Sequence, residues 1–172
     1  MPDAGVLDIR QWRANLAARK PMGGRTPLDV ANELDGLAAT NFAALDAIRA
    51  KPSPNVELGK TLDDCEALAW LARYYAEKIR GACALALYDG NSDPAEQAAA
   101  LHHLDTALAH WKRYAAVRDS HYLPALYNRH GYVDLTALTA NVAADLDLAR
   151  AWKPGTVKED APRATTEQGS TL

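Results

Sequence analysis

Residues 62–88, LDDCEALAWLARYYAEKIRGACALALY, and 94–117, PAEQAAALHHLDTALAHWKRYAAV, stand on either side of the short segment Asp89-Gly90-Asn91-Ser92-Asp93. On the first stretch Leu62, Cys65, Ala69, Ala72, Ala76, Ile79, Cys83 and Ala86 recur at alternating spacings of three and four. On the second, Leu101, Leu104, Leu108, Trp111 and Ala115 do the same. That alternation is the signature of one helix face. Thr61-Leu-Asp-Asp64 offers an N-cap with acids in the first turn, and Asp93-Pro94-Ala95-Glu96 offers a second start of the same kind. Gly90 is the expected C-cap of the first helix. Two amphipathic helices joined by so short a loop pack antiparallel. The small residues of the first seam would let its neighbour come close. This hairpin is the expected core.

Working outward, residues 7–19 read as a short helix with Ile9, Trp12, Leu16 and Ala17 near one face, ended by Pro21-Met-Gly-Gly24. Thr26-Pro27-Leu28-Asp29 combines an N-cap, a proline at the first helical position and an acid at the third. The helix it opens should run to about Ala50, with Val30, Leu34, Leu37, Leu45 and Ile48 as its apolar stripe, until Pro52 and Pro54 break it. Beyond the hairpin, Asp119 to Pro124 interrupts the pattern and a loop follows. Asp134 then caps a last helix with Leu135, Leu138, Val142, Leu146 and Ala149 on one face, closed by Trp152 and stopped by Lys153-Pro154-Gly155. The expected fold is all-α: an antiparallel bundle of four main helices plus a short N-terminal helix. Residues 1–25 form an extension, 26–152 the bundle and 153–172 a polar, disordered tail. No strand is expected. The helix starts at Thr26, Thr61 and Asp93 approach the period of tetratricopeptide repeats, but each interval holds one long helix where that repeat holds two.

A chain of 172 residues is long enough for one domain with a real core. A net charge of −3 and a pI near 5.9 argue against a nucleic-acid partner. No apolar run reaches the roughly 20 residues of a membrane span. The N-terminus lacks the basic and apolar regions of a signal peptide, so the chain as written is expected to be cytoplasmic. Cys65 and Cys83 are 18 positions apart, about 27 Å along a helix. A disulfide between them is excluded if that helix is continuous.

The residues spell out no reaction. Glu-x-x-His, HExxH and CxxC patterns are absent, as are a phosphate-binding glycine loop and a nucleophile elbow. No catalytic residue, cofactor or metal ligand is therefore assigned. His103 and His110 share a helix face but lie about 10 Å apart, too far to hold a metal without another helix. Lys112, Arg113 and Arg118 complement the end of a helix dipole. Two features stand out as ligand or interface candidates. Trp70, Arg73 and Arg80 lie on a stripe with Glu66 and Glu77, a mixed-charge pattern that an exposed face would also give; Trp70 points instead to a covered surface. Trp111 and Arg113 follow on the partner helix. The loop 119–134 gathers Tyr122, Tyr127, Arg129, His130 and Tyr132, groups that could stack on a sugar, grip a protein or simply plug the end of the bundle.

The phrases GRTPLDVANELDGLA (24–38), LDDCEALAWLARYYAEKIRGA (62–82), ALAHWKRYAAV (107–117) and GYVDLTAL (131–138) resemble the helical C-terminal region of large bacterial glycoside-hydrolase-like proteins of the α-glucuronidase or carbohydrate-binding type. The likeness spans residues 6–152. In such proteins catalysis belongs to a separate barrel, so the resemblance implies a non-catalytic accessory or assembly module. Its partners would be a catalytic domain, another protein or a further copy of the chain, and an oligosaccharide is a possible ligand. A parent that is exported would carry its signal on another part. Three alternatives stand beside this reading: a carbohydrate-binding module using loop 119–134, a tetratricopeptide-like interaction module, and a small helical metalloprotein using His103 and His110.

Overall fold

The computed structural model describes residues 5–51, 55–122, 125–128 and 131–157, with backbone alone at 125–128 and 131–133. The elements are α1 (Ile9–Ala17), α2 (Pro27–Arg49), α3 (Val56–Asn91), α4 (Pro94–His121), β1 (Ala125–Asn128), β2 (Gly131–Asp134) and α5 (Leu135–Ala151). The protein is an all-α antiparallel bundle built on the α3–α4 hairpin, with α2 packed on α3 and α5 on α4.

Local chemistry sets most of the boundaries. Thr26 accepts from the Asp29 amide while the Asp29 carboxylate accepts from the Thr26 amide, a reciprocal cap. Asp93 and Asp134 cap α4 and α5 in the same spirit. Two boundaries differ from expectation. Helix α3 starts at the Asn55 cap rather than at Thr61, whose hydroxyl donates to the Glu57 carbonyl inside the helix. It also runs through Gly90 and ends at Ser92, which takes the left-handed conformation at φ 60°. The link between α3 and α4 is thus tighter than the expected five-residue turn. The segment expected as plain loop contains a hairpin, with Ala125 opposite Asp134 and Tyr127 opposite Tyr132. Four residues per strand are too few for alternation to show in sequence.

Two layers of buried side chains hold the bundle. One joins Tyr74 of α3 to Ala107, Trp111 and Ala115 of α4 and to Leu135 and Val142 of α5. The other joins Ala84, Leu85, Ala100, Leu104, Leu146 and Ala149. Beside the second layer Gly81 lets α3 and α4 approach closely: a Cβ there would lie 2.9 Å from Leu104 Cγ and 3.3 Å from the Ala100 carbonyl oxygen. The row of α3 that meets α4 is therefore Tyr74, Gly81 and Leu85. The expected seam serves another purpose. Its buried members Ala69, Ala76 and Cys83 lie beside Arg73 and Arg80, which reach α2, so α2 covers them. On α2 the buried row is Ala31, Ala38 and Leu45; Leu37 and Ile48, assigned to the apolar stripe, are exposed.

The far end is closed by Asp89. Its carboxylate accepts from Arg13 Nη1 at 2.7 Å, Trp152 Nε1 at 2.9 Å, and the amides of Thr156 at 2.9 Å and Val157 at 3.3 Å; its carbonyl accepts from Gly155. Residues 153–157, expected in the tail, are thus folded back onto α3. The rest of that tail lies outside the described residues.

Candidate functional site

Three of the candidates, Trp70, Arg73 and Arg80, converge on the groove between α2, α3 and α4. Trp70 lies between two partners of its own chain: its ring is 4.7 Å from Phe42 of α2 and 5.5 Å from His110 of α4, centroid to centroid. Its indole N–H donates to Glu66. The covered surface that Trp70 pointed to is internal. The Arg73 guanidinium rests over the rings of Phe42 and Trp70 at 4.9 and 5.7 Å. Arg80 bridges Asp35 at 2.6 Å and Glu77 at 2.8 Å and donates to the Asn32 amide oxygen. Glu77 meets His103 Nδ1 at 2.6 Å. Asp35, Ala39, Arg73, Glu77 and His110 line a cleft of about 360 Å³. Burial holds the His110 imidazole below its ordinary pKa and the Arg73 charge adds to this, opposed by Glu77 and Asp35.

This arrangement is a lock between helices. Arg80 and Glu77 are mostly buried and engaged with groups of α2 and α4, so their charges are committed to holding three helices in register. His103 and His110 have separate partners, and among the described residues no group of three or more His, Cys, Asp or Glu is placed to hold a metal. Cys83 is buried and its thiol is pushed up to about 11 by desolvation, the opposite of an activated nucleophile. Trp111 is a core residue, its N–H bonded to Thr139. Arg113 lines a second cleft of about 340 Å³ with Asp63, Glu66, Trp70 and Ser120. Tyr122 donates to Asp64 of α3 and carries the Arg118 guanidinium over its ring, which ties the loop to the bundle. The side chains of Tyr127 and Tyr132, and Arg129 and His130 altogether, lie outside the described residues.

The opposite side of α3 has a different character, and periodicity alone did not isolate it. Once α4 covers Tyr74 and Gly81, α2 covers Ala69, Ala76 and Cys83, and α5 meets Lys78 through Asp145 at 2.8 Å, one face of α3 is left. It carries Leu68, Ala72, Tyr75, Ile79 and Ala82, every one exposed or half-buried, and it ends where α1 packs, with Arg13 donating to the Ala86 carbonyl. Leu68 is 62% and Tyr75 48% exposed. The flanking helices extend it. On α2, Asn41 donates to the Cys65 carbonyl, which turns Leu37 (61%) and Ile48 (43%), four back and seven on, to this side. On α5, Leu148 (56%) stands one turn beyond Asp145. Five large apolar side chains of three helices thus share one surface. A sequence reading counts such residues into the core because it cannot know which helix face goes uncovered.

No described helix is long and apolar enough to cross a membrane. No family model, curated protein or solved structure matches this chain.

Proposed function

We propose that this chain is a non-catalytic assembly module that docks another folded surface with the α2–α3–α5 face. One observation carries the reading: Leu37, Leu68, Tyr75 and Leu148, on three neighbouring helices, are each about half exposed or more. Scattered exposed leucines are ordinary, but a contiguous apolar surface of this kind usually marks an interaction site.

The polar groove supports the same division of labour, because its charged groups are engaged in joining helices. The resemblance to accessory regions of carbohydrate-processing proteins supplies a setting in which a helical piece serves a catalytic partner, but the proposal rests on the face. Its test is a Leu68→Glu/Tyr75→Glu double variant, melted at about 1 µM alongside the wild type. A docking surface is solvated in the isolated chain, so the melting temperature should move by no more than about 2 °C while binding of a dye selective for apolar surface drops. A loss above about 2 kcal/mol would show that the chain's own fold uses these side chains, and the proposal would fail.

A further inference from the structure

We infer that the cleft between α2, α3 and α4 binds a small zwitterion, whose carboxylate meets Arg73 and whose ammonium group meets Asp35. The inference concerns a different surface from the docking face and does not depend on it. It begins with a contrast among the arginines of one groove. Arg49 holds Asp63 and Glu66, each at 2.6 Å, and Arg80 holds Asp35 at 2.6 Å and Glu77 at 2.8 Å. Arg73, half-buried two turns before Arg80, has no ion pair and no hydrogen bond among the described residues. It is held by its flat face alone, 4.9 Å from the Phe42 ring and 5.7 Å from that of Trp70. Those contacts fix the guanidinium plane and leave its N–H donors without a protein partner. That planar fork matches a carboxylate.

Two more groups of the cleft are uncommitted, and each comes from a different helix. His110 of α4 stacks on Trp70 at 5.5 Å, yet neither ring nitrogen is hydrogen-bonded among the described residues. Its lowered pKa keeps the ring neutral at pH 7, so it offers one N–H donor and one acceptor. Asp35 of α2 gives Oδ2 to Arg80, while its Oδ1 has no partner among the described residues. Glu77, by contrast, is fully used, Oε1 by Arg80 and Oε2 by His103. The exposed Ala39 is too small to fill the mouth. A volume of about 360 Å³ with a few convergent polar groups is the form a small-molecule site takes.

Charge decides the class of ligand. Arg73 and Arg80 balance Asp35 and Glu77, so the cleft is close to neutral before anything binds. A plain anion would gain Arg73 but stand beside Asp35, and a plain cation would meet the reverse. A molecule carrying both charges satisfies both free groups.

The test uses the full chain and a series of probes with the two charges increasingly far apart: glycine, β-alanine, γ-aminobutyrate and δ-aminovalerate. Each is raised to about 50 mM at constant pH and ionic strength while the His110 ring resonances, assigned with a His110→Gln variant, are followed by NMR. One chain length should give the strongest saturable shift, because Arg73 and Asp35 stand on a rigid bundle. The matched acid without its ammonium group, and the matched amine without its carboxylate, should each bind at least about tenfold more weakly. Arg73→Gln should abolish the shift. Asp35→Asn keeps an oxygen for Arg80 and should reduce the zwitterion to the level of the plain acid. The inference is overturned if no probe gives a saturable His110 shift, if the plain acid or inorganic phosphate binds as tightly as the best zwitterion, or if Arg73→Gln binds unchanged. Should either variant fail to fold, the comparison of zwitterion, acid and amine on the wild type decides alone.

Discussion

Asp89 shows what a single residue does here. It sits at the last turn of α3, with its side chain 1% exposed, and binds α1, the indole of Trp152 and the backbone after it. Burial alone would push its carboxyl up, but the hydrogen bonds from Trp152, Arg13, Val157 and Thr156 outweigh it and hold the group below the ordinary carboxylate range. The folded-state pKa is the lower one, so the stabilisation is complete above the unfolded value and is lost as pH falls through the folded one. The window lies below about pH 4. Asp89→Ala should cost about 3–5 kcal/mol at neutral pH, the range for breaking a buried ion pair. Asp89→Asn keeps an acceptor for Trp152 and Thr156 but has nothing to titrate, so chemical denaturation at pH 7 and pH 3 should show a smaller acid loss than in the wild type. Equal acid losses would mean that other carboxylates govern the pH response. None of this was legible in the sequence, where Asp89 looked like one more polar turn residue. Its partners are contributed from more than 60 residues away in either direction.

At the scale of the element, sequence signals located every helix but misjudged some edges and several faces. The caps at Thr26, Asp93 and Asp134 were readable because capping is local: a short polar side chain satisfies an amide two or three residues on. Thr61 carried the same signal and was misleading, because Asn55, just after the proline break, captures the Leu58 amide first. Nothing between Asn55 and Thr61 stops the helix, since Gly59 weakens a helix interior without ending it. Asn55→Ala should therefore cost about 1 kcal/mol and Thr61→Ala only a few tenths. Thermal melts of the two variants decide it, and a larger loss at Thr61 would move the working start of α3 to that residue. Faces were harder to read than edges. On α3 the spacing of apolar residues gave one seam, whereas several neighbouring helices divide the surface. Tyr74 and Gly81 go to α4, Ala69, Ala76 and Cys83 to α2, and Leu68 and Tyr75 to none. Period counts identify a helix; they cannot say how many helices surround it. The candidate site was legible only as a list of residue types. Trp70, Arg73 and Arg80 do share a groove, but Trp111 belongs to the core.

At the scale of the molecule, the two sides of the α3 layer differ in what they commit. On the α4 side, charges are spent on internal partners: Arg80 with Asp35 and Glu77, Glu77 with His103, and Arg49 with Asp63 and Glu66. On the other side apolar area stays in water. If a second copy covers that area, stability and concentration must be linked, because only the folded chain presents the face. Each tenfold rise in concentration then adds about 1.4 kcal/mol per dimer, or about 0.7 kcal/mol per chain. For a domain of this size that corresponds to about 2 °C in melting temperature. Above the dissociation constant of such a dimer, a calorimetric series should accordingly climb by about 2 °C for each tenfold rise in concentration for the wild type. The Leu68→Glu/Tyr75→Glu variant should give a flat line that meets the wild-type curve at its dilute end, because both are monomers there. A flat wild-type series would separate folding from self-association and leave the exposed face without a second copy to cover it.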